Sequence, residues 1–118
     1  MEELIPADRK FQKEVNSGIA ALVLLSVLNR ATEPMYGYQV AKLIEMDRDD
    51  IPMIKQGTLY PVLRSLEKST LLESKVEPSV SGPPRRYYKI TKLGHKTLIR
   101  WNDIWGQTKN FVDSIIKG

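Results

Sequence analysis

The sequence predicts a mainly α-helical domain that carries one β-hairpin. Apolar residues recur at helical spacing in four stretches of the chain, and between residues 72 and 90 the repeat shortens to two residues, which is typical of strands. The 118 residues, 42% of them apolar, suffice for one hydrophobic core, although a core of this size is often reinforced by association with a second chain. We therefore expect one compact domain.

The first predicted helix covers residues 10–29, where Phe11, Val15, Ile19 and Leu22 follow one another at helical spacing. From Ile19 onward nearly every side is apolar, so the helix should be buried on several sides. Its longest apolar run, residues 18–28, is shorter than the roughly 18 to 20 residues that a membrane-spanning helix needs. The start of the chain is acidic, unlike a secretory signal, and cysteine is absent. These features favour a cytoplasmic protein with no membrane partner.

Two shorter helices are predicted after an interruption at residues 33–34. The first, residues 36–46, begins at Tyr36, which we expect in the core, and has three apolar residues on one face: Val40, Leu43 and Ile44. The second, residues 57–69, has an apolar stripe of Leu59, Val62, Leu63 and Leu66. It should begin only a few residues before Pro61, because proline lacks the N–H that a helix interior requires.

The hairpin and a long final helix complete the predicted elements. Residues 72–77 and 85–90 alternate like two half-buried strands, joined by a turn-rich connection over residues 78–84. Thr91 is a plausible N-cap for the last helix. An apolar seam spaced by three and four follows on that helix: Leu98, Trp101, Trp105, Thr108, Val112 and Ile115. Such a seam predicts a partner helix.

The order of these elements predicts a winged helix-turn-helix with N- and C-terminal dimerisation helices. Residues 1–90 would form the first helix and the DNA-binding region, and residues 91–118 the dimerisation helix. Three short helices and a hairpin also occur in protein-interaction modules that do not bind nucleic acid, so fold alone leaves that alternative open.

Positive charge is concentrated in the middle of the chain. The net charge is +4, but residues 55–100 contain ten Lys and Arg against three Glu, a local charge of +7, which leaves −3 on the remainder. A polyanion is the natural partner of such a segment. The alternative is a solvated surface of uneven charge.

Several motifs, in order, resemble the PadR family of bacterial regulators. They are Tyr36-Gly37-Tyr38, Gly57-Thr58-Leu59-Tyr60-Pro61 with Leu63, Leu66, Glu67 and Lys68, then Arg85-Arg86-Tyr87-Tyr88 with Ile90, Thr91 and Gly94. The resemblance spans residues 22–105 and implies a homodimeric transcriptional repressor that binds a double-stranded DNA operator. The chain departs from the family at Ser69-Thr70, where glycine is usual, and at a glycine-poor wing tip, residues 81–84, which implies a stiffer wing.

In a winged helix, the amino end of the third helix enters the major groove. The candidates for DNA binding lie on that helix, at the start of the second helix and on the hairpin. They are Tyr38, Lys55, Gln56, Thr58, Tyr60, Arg64, Arg85 and Arg86. Gln can form a bidentate pair with adenine and Lys can contact guanine, so Lys55 and Gln56 are the candidate base readers. Thr and Tyr more often contact phosphate.

Four of the other candidates have an alternative role. The Tyr60 ring can pack in the core with its hydroxyl at the surface. Arg64 can be a phosphate clamp or an ordinary solvated charge. Arg85 and Arg86 must point to opposite faces of their strand, and charged residues there can also discourage edge-to-edge aggregation.

The final helix supplies the other predicted site. Five residues are candidates for the dimer interface: Leu98, Trp101, Trp105, Val112 and Ile115. By resemblance to the small multidrug-sensing members of the family, Trp105 would stack a planar aromatic compound between two subunits. The nearby Gly106 fits a position where space is needed. The alternative is that both tryptophans are packed interface core.

Catalytic, metal and cofactor sites are not predicted. The only histidine, His95, falls in the first turn of the last helix, where a surface or partner contact is the simpler role. Asp47, Asp49 and Asp50 lack the glycine turn and the further oxygen ligands of a calcium loop. We therefore expect a protein that is not an enzyme.

Overall fold

The computed structural model describes residues 5–46 and 56–118 and confirms a mainly helical fold with a small antiparallel sheet. In chain order the elements are α1 (Pro6–Arg30), β1 (Met35–Tyr36), α2 (Gly37–Met46), α3 (Gln56–Lys68), β2 (Leu72–Ser79), β3 (Gly82–Ile90) and α4 (Lys92–Lys117). The three strands lie in the order β1-β3-β2. The hairpin of β2 and β3, which we call the wing, follows directly after α3.

One hydrophobic core joins all the helices to the wing. Helix α1 contributes Leu24, Leu25 and Leu28. Helix α3 contributes Leu59, Leu63 and Leu66 of its predicted stripe, and the fourth residue, Val62, is partly buried against them. By length and composition α1 would also suffice to cross a membrane, but the buried core helix of a soluble protein passes the same test. Its buried face packs on α3, as expected for a core helix.

Two predictions about the strands were wrong. Residues 35–36 are not helical: they form β1, which pairs with Tyr87 and Tyr88 of β3. Because side chains alternate along a strand, Met35 packs against the core while Tyr36 points to the other face of the sheet and is only half buried. The wing turn is also shorter than residues 78–84, since β2 runs to Ser79 and β3 begins at Gly82, with a bulge at residues 77–79. On α2, Leu43 is exposed although Val40 and Ile44 are buried.

Helix α3 ends in a Schellman motif at Thr70. The backbone N–H of Leu71 donates to the carbonyl of Leu66, and that of Thr70 donates to the carbonyl of Glu67, both at 2.9 Å. This motif requires a left-handed residue, and Thr70 has φ = 63°, the only non-glycine residue with positive φ in the described ranges. The position is the one at which glycine was expected, so here a β-branched residue adopts a conformation that glycine adopts more easily.

Thr91 fastens the beginning of α4 to the end of α3. Its hydroxyl accepts the N–H of Gly94 at 2.9 Å, which confirms the predicted N-cap, and donates to the carbonyl of Thr70 at 2.7 Å. Its own N–H donates to the carbonyl of Leu71 at 3.1 Å. A side chain at Gly94 would overlap that same Leu71 carbonyl, so only glycine allows the approach. We call this set of contacts the Thr91 clasp.

Helix α4 begins in the core and then leaves it. Thr97 and Leu98 are buried, whereas all but two residues from 102 to 117 are exposed. The radius of gyration is 16.2 Å, compared with roughly 13 to 14 Å for a compact chain of this length. The distal half of α4, residues 106–117, therefore projects from the domain.

Candidate nucleic-acid interface

The amino end of α2 lies directly against α3. Gly37 is buried there, and a methyl group at this position would overlap the ring of Tyr60. The backbone N–H of Tyr36 donates to the side-chain oxygen of Gln39 at 3.1 Å, which fixes the entry into α2. Tyr60 keeps 38% of its surface exposed, so its ring packs on the Gly37 backbone and also reaches solvent. Both roles considered for Tyr60 remain compatible with this position.

The outer face of α3 is polar and carries only positive charge among its fully exposed residues. Arg64 and Lys68 are exposed, and Thr58 is half buried. Tyr38 is exposed at the beginning of α2, and the Lys42 ammonium lies 5.5 Å from the centre of its ring.

Gln56 is the first residue of α3. Lys55 lies outside the described residues, as do Asp47, Asp49 and Asp50. Pro61 lies within the first two turns of α3, which begins at Gln56. Because proline has no N–H, the carbonyl of Gly57, four residues earlier, receives no α-helical hydrogen bond.

The two wing arginines point to opposite faces of the sheet. The Arg85 guanidinium lies 4.5 Å from the centre of the Tyr36 ring, and that ring meets the Tyr87 ring edge-on at 5.3 Å. Arg86 lies on the face that packs against α3 and donates from Nη1 to the Ser74 hydroxyl at 2.8 Å. Only Arg86 therefore shares a surface with α3.

A cluster of charged and phenolic groups forms where the wing meets α3. We call it the wing junction: Arg64 and Glu67 of α3, Ser74 of β2, and Arg86 and Tyr88 of β3. The Ser74 hydroxyl donates to the Glu67 carboxylate at 2.5 Å. Burial raises the pKa of the Tyr88 phenol above its ordinary value, the Glu67 carboxylate adds to the rise, and Arg86 and Arg64 oppose it. Glu67, Arg86 and Arg64 thus each act electrostatically on the Tyr88 phenol.

The wing junction was only partly foreseen from sequence. Arg64 and Arg86 were candidate sites, but the link from Glu67 through Ser74 was missed because it depends on how β2 lies across α3. The alternation of residues 72, 74 and 76 was the available signal, since it placed Ser74 on the face of the apolar Leu72.

The second candidate site is a groove of about 440 Å³ between α1 and α4. Its lining is largely apolar: Gly18, Ile19, Ala21, Leu22, Trp101, Ile104, Trp105 and Thr108. Trp101 packs against the core, whereas Trp105 is 42% exposed. Leu98, a predicted interface residue, is 4% exposed and packs in the core of its own protomer, so it does not reach the surface on which a partner would dock. In the described ranges, no group of three metal-ligating side chains is found.

Beyond the groove, the distal half of α4 exposes large apolar side chains. Phe111 and Ile115 are each 65% exposed, and Val112 and Ile116 are exposed too. His95, at the other end of the helix, contacts Asn29 of α1 through its Nδ1 atom at 2.9 Å. The first turn of α4 thus contacts α1, whereas the apolar side chains at its far end are exposed within the described chain.

Comparison with known proteins gives consistent matches. Residues 24–100 match the profile of the Transcriptional regulator PadR-like family. An uncharacterised protein of Lysinibacillus sphaericus is 32% identical over 83 residues, which cover 70% of this chain and 76% of that protein.

Solved structures show the same fold. The crystal structure of a PadR family transcriptional regulator from Eggerthella lenta DSM 2243 has 31% identity and a TM-score of 0.78, over 92% of this chain and 90% of that one. A transcriptional regulator from Clostridium thermocellum has 30% identity and a TM-score of 0.76, over 86% and 96%. A PadR-like transcription factor from Bacteroides fragilis has 27% identity and a TM-score of 0.70, over 90% and 98%.

Proposed function

The chain belongs to the PadR-like family of transcriptional regulators, and from that premise we propose that it is a cytoplasmic, homodimeric repressor that occupies a pseudo-palindromic DNA operator. Regulators of this family act by binding DNA and are not enzymes. In the proposal, residues 1–90 bind the operator and residues 91–118 join the two subunits.

The observation that carries the proposal is the basic surface formed by α3 and the wing. Arg64, Lys68 and Arg86 lie on elements that pack together, and Gln56 begins the helix that would enter the major groove. We assign base contacts to Lys55 and Gln56, and phosphate contacts to Tyr38, Thr58, Tyr60, Arg64, Arg85 and Arg86. Arg85 would reach the DNA backbone only from the outer face of the wing.

The homodimer is supported by the exposed apolar surface of α4. An exposed apolar stripe of this length is rarely left in contact with water. In a two-fold dimer, each α4 would cover the same surface on its partner, with Trp101, Trp105, Val112 and Ile115 in the contact. Two operator half-sites would then face the two copies of α3.

We also propose that the groove beside Trp105 is the site at which a planar aromatic compound relieves repression. An apolar groove with an exposed indole suits a flat ring, and two symmetry-related indoles would hold a planar cation by stacking and cation–π attraction. The competing arrangement is that the partner subunit fills the groove, so that Trp105 is interface core.

A salt titration tests DNA binding. With about six phosphate contacts per dimer, affinity for a duplex from the region upstream of its own gene should fall about 10³-fold between roughly 50 and 200 mM salt. Fluorescence anisotropy of a labelled duplex measures the affinity at each salt concentration. Absence of binding at low salt would reject the proposal in favour of a winged-helix module that binds protein or small ligands instead.

Dye titration tests the ligand site. Planar cationic dyes should quench tryptophan emission in the wild type, and Trp105→Ala should abolish the part of the quenching that saturates. Ile99→Ala is the matched control, because Ile99 is exposed on α4 but does not line the groove, so its loss should leave dye affinity unchanged. Quenching that persists unchanged in Trp105→Ala would show that Trp105 is interface core and not a ligand contact.

A further inference from the structure

One acidic residue, Glu67, lies inside the basic surface of α3 and the wing. Arg64 lies one turn before it on the helix and Lys68 directly after it, and it is half buried against β2. A carboxylate near DNA phosphates repels them, so its presence on this surface calls for a compensating role.

The contacts of Glu67 supply that role. Its carboxylate accepts the Ser74 hydroxyl at 2.5 Å, and the oxygen of the same hydroxyl accepts Arg86 Nη1 at 2.8 Å. Arg86 pairs with Val76 in the wing register, so Ser74 is its diagonal neighbour on the same face. The chain of hydrogen bonds therefore crosses from α3 to β2 to β3.

The serine hydroxyl can serve both partners because it has one proton to donate and lone pairs to accept with. The negative charge of Glu67 strengthens its acceptance from the guanidinium, since hydrogen bonds in such a chain polarise one another. Arg86 has five N–H donors, so one bond to Ser74 leaves most of the fork free. The free donors remain at an exposed surface beside α3.

We propose that Glu67 and Ser74 are positioning residues that hold the Arg86 guanidinium at a fixed distance from α3, so that helix and wing present their cations to the DNA backbone as one rigid unit. The inference rests on the proposed DNA binding and deepens it. An arginine held in advance loses less rotamer freedom when it binds a phosphate, which raises affinity without any added contact to DNA.

The sign of one substitution separates this role from a simple charge effect. If Glu67 were only a solvated acid, Glu67→Gln would remove repulsion and tighten DNA binding. If Glu67 positions Arg86, the same change weakens DNA binding by about threefold to tenfold, the cost of immobilising a long side chain at the moment of binding.

The experiment is a double-mutant cycle on affinity for a duplex of about 30 base pairs, long enough for two half-sites. Glu67→Gln and Ser74→Ala are each measured in the wild type and in Arg86→Ala. If Glu67 and Ser74 position Arg86, each of these two substitutions should lower DNA affinity in the wild type. Neither should lower it in Arg86→Ala, because that background has no guanidinium to hold. Ser74→Thr, which keeps a hydroxyl, should recover the affinity that Ser74→Ala loses.

Glu73→Gln is the matched control, since Glu73 precedes Ser74 on β2 but lies on the outer face of the wing. It removes the same charge without touching the hydrogen bonds, so its effect should be equal in both backgrounds. Additive effects of Glu67→Gln and Arg86→Ala, with normal binding by the wild type, would overturn the positioning role alone. Failure of the wild type and every variant to bind would instead overturn the proposed function.

Discussion

The wing junction and the distal half of α4 are both surface regions, but their side chains differ in kind and in whether they have partners within the protomer. At the wing junction, charged groups already have partners within the protomer: Arg86 on Ser74, and Ser74 on Glu67. On distal α4, large apolar residues such as Phe111 and Ile115 are open to solvent.

The contrast indicates that the two regions are built for different kinds of partner. A polyanion is attracted by preorganised charge and needs no apolar contact, whereas a second subunit removes apolar area from water. Changes at the wing junction should therefore leave dimerisation intact, and the following predictions test the two regions in turn.

The largest effect is expected on distal α4. Ile115→Asp should weaken dimerisation by at least about a hundredfold, because the substitution occurs twice in a symmetric dimer and places an unpaired charge in an apolar contact. Sedimentation equilibrium measures the dimer dissociation constant. Asn110→Asp adds the same charge on another face of the helix and should leave the dimer intact. A folded monomer in the wild type at micromolar concentration would contradict the prediction.

At the proposed DNA-binding surface, Gln56→Ala and Arg86→Ala should have separable effects. Loss of Gln56 should reduce discrimination between operator and other sequences by about 1 to 3 kcal/mol, because a bidentate base contact is removed. Loss of Arg86 should weaken binding to all sequences alike. Competition with unrelated duplex DNA measures both. Equal weakening on every sequence by Gln56→Ala would remove that residue from the base readers.

A smaller effect is expected at the turn that joins α3 to the wing. Thr70→Gly should raise the free energy of unfolding by about 1 kcal/mol, because it relieves the left-handed conformation of a β-branched residue. Ser69→Gly, one residue earlier and without positive φ, should lower stability by a fraction of that amount through added freedom of the unfolded chain. Urea unfolding compares the two variants. A lower free energy of unfolding in both would show that Thr70 is unstrained.

The smallest effect concerns alkaline pH. The folded pKa of Tyr88 is raised, so its contribution to stability is present in full below the unfolded value near 10 and is lost as pH rises through the folded value. Unfolding free energy should therefore decline above about pH 10 in the wild type, and less steeply in Tyr88→Phe. Urea unfolding of the wild type and of Tyr88→Phe at several pH values measures the difference.

Much of the fold could be predicted from local pattern. The apolar stripes of α3 and α4, the alternation in the wing and the Thr91 cap are encoded within a few residues of one another, where helix and strand periodicity acts directly. Those elements appear in the structure at or near the predicted bounds.

The parts that could not be predicted depend on contacts distant in sequence. Two residues, Met35 and Tyr36, form a strand only because β3 lies beside them. Leu98 belongs to the seam by spacing, but the packing of α4 on α1 places it in the core. The bonds from Glu67 to Ser74 to Arg86 require the register of the wing, which no short stretch of sequence specifies.

The Thr91 clasp gives α4 the mechanics of a lever. With its first turn fixed to the end of α3, a helix of 26 residues extends about 39 Å from the pivot, whereas α3 with 13 residues extends about 20 Å from it. A shift of about 3 Å at the distal end of α4 corresponds to a tilt of roughly 4 to 5° at the pivot and moves the far end of α3 by about half as much. In the proposed dimer, with two such levers, a modest rearrangement where the subunits meet would change the spacing between the two copies of α3 without any distortion inside either domain.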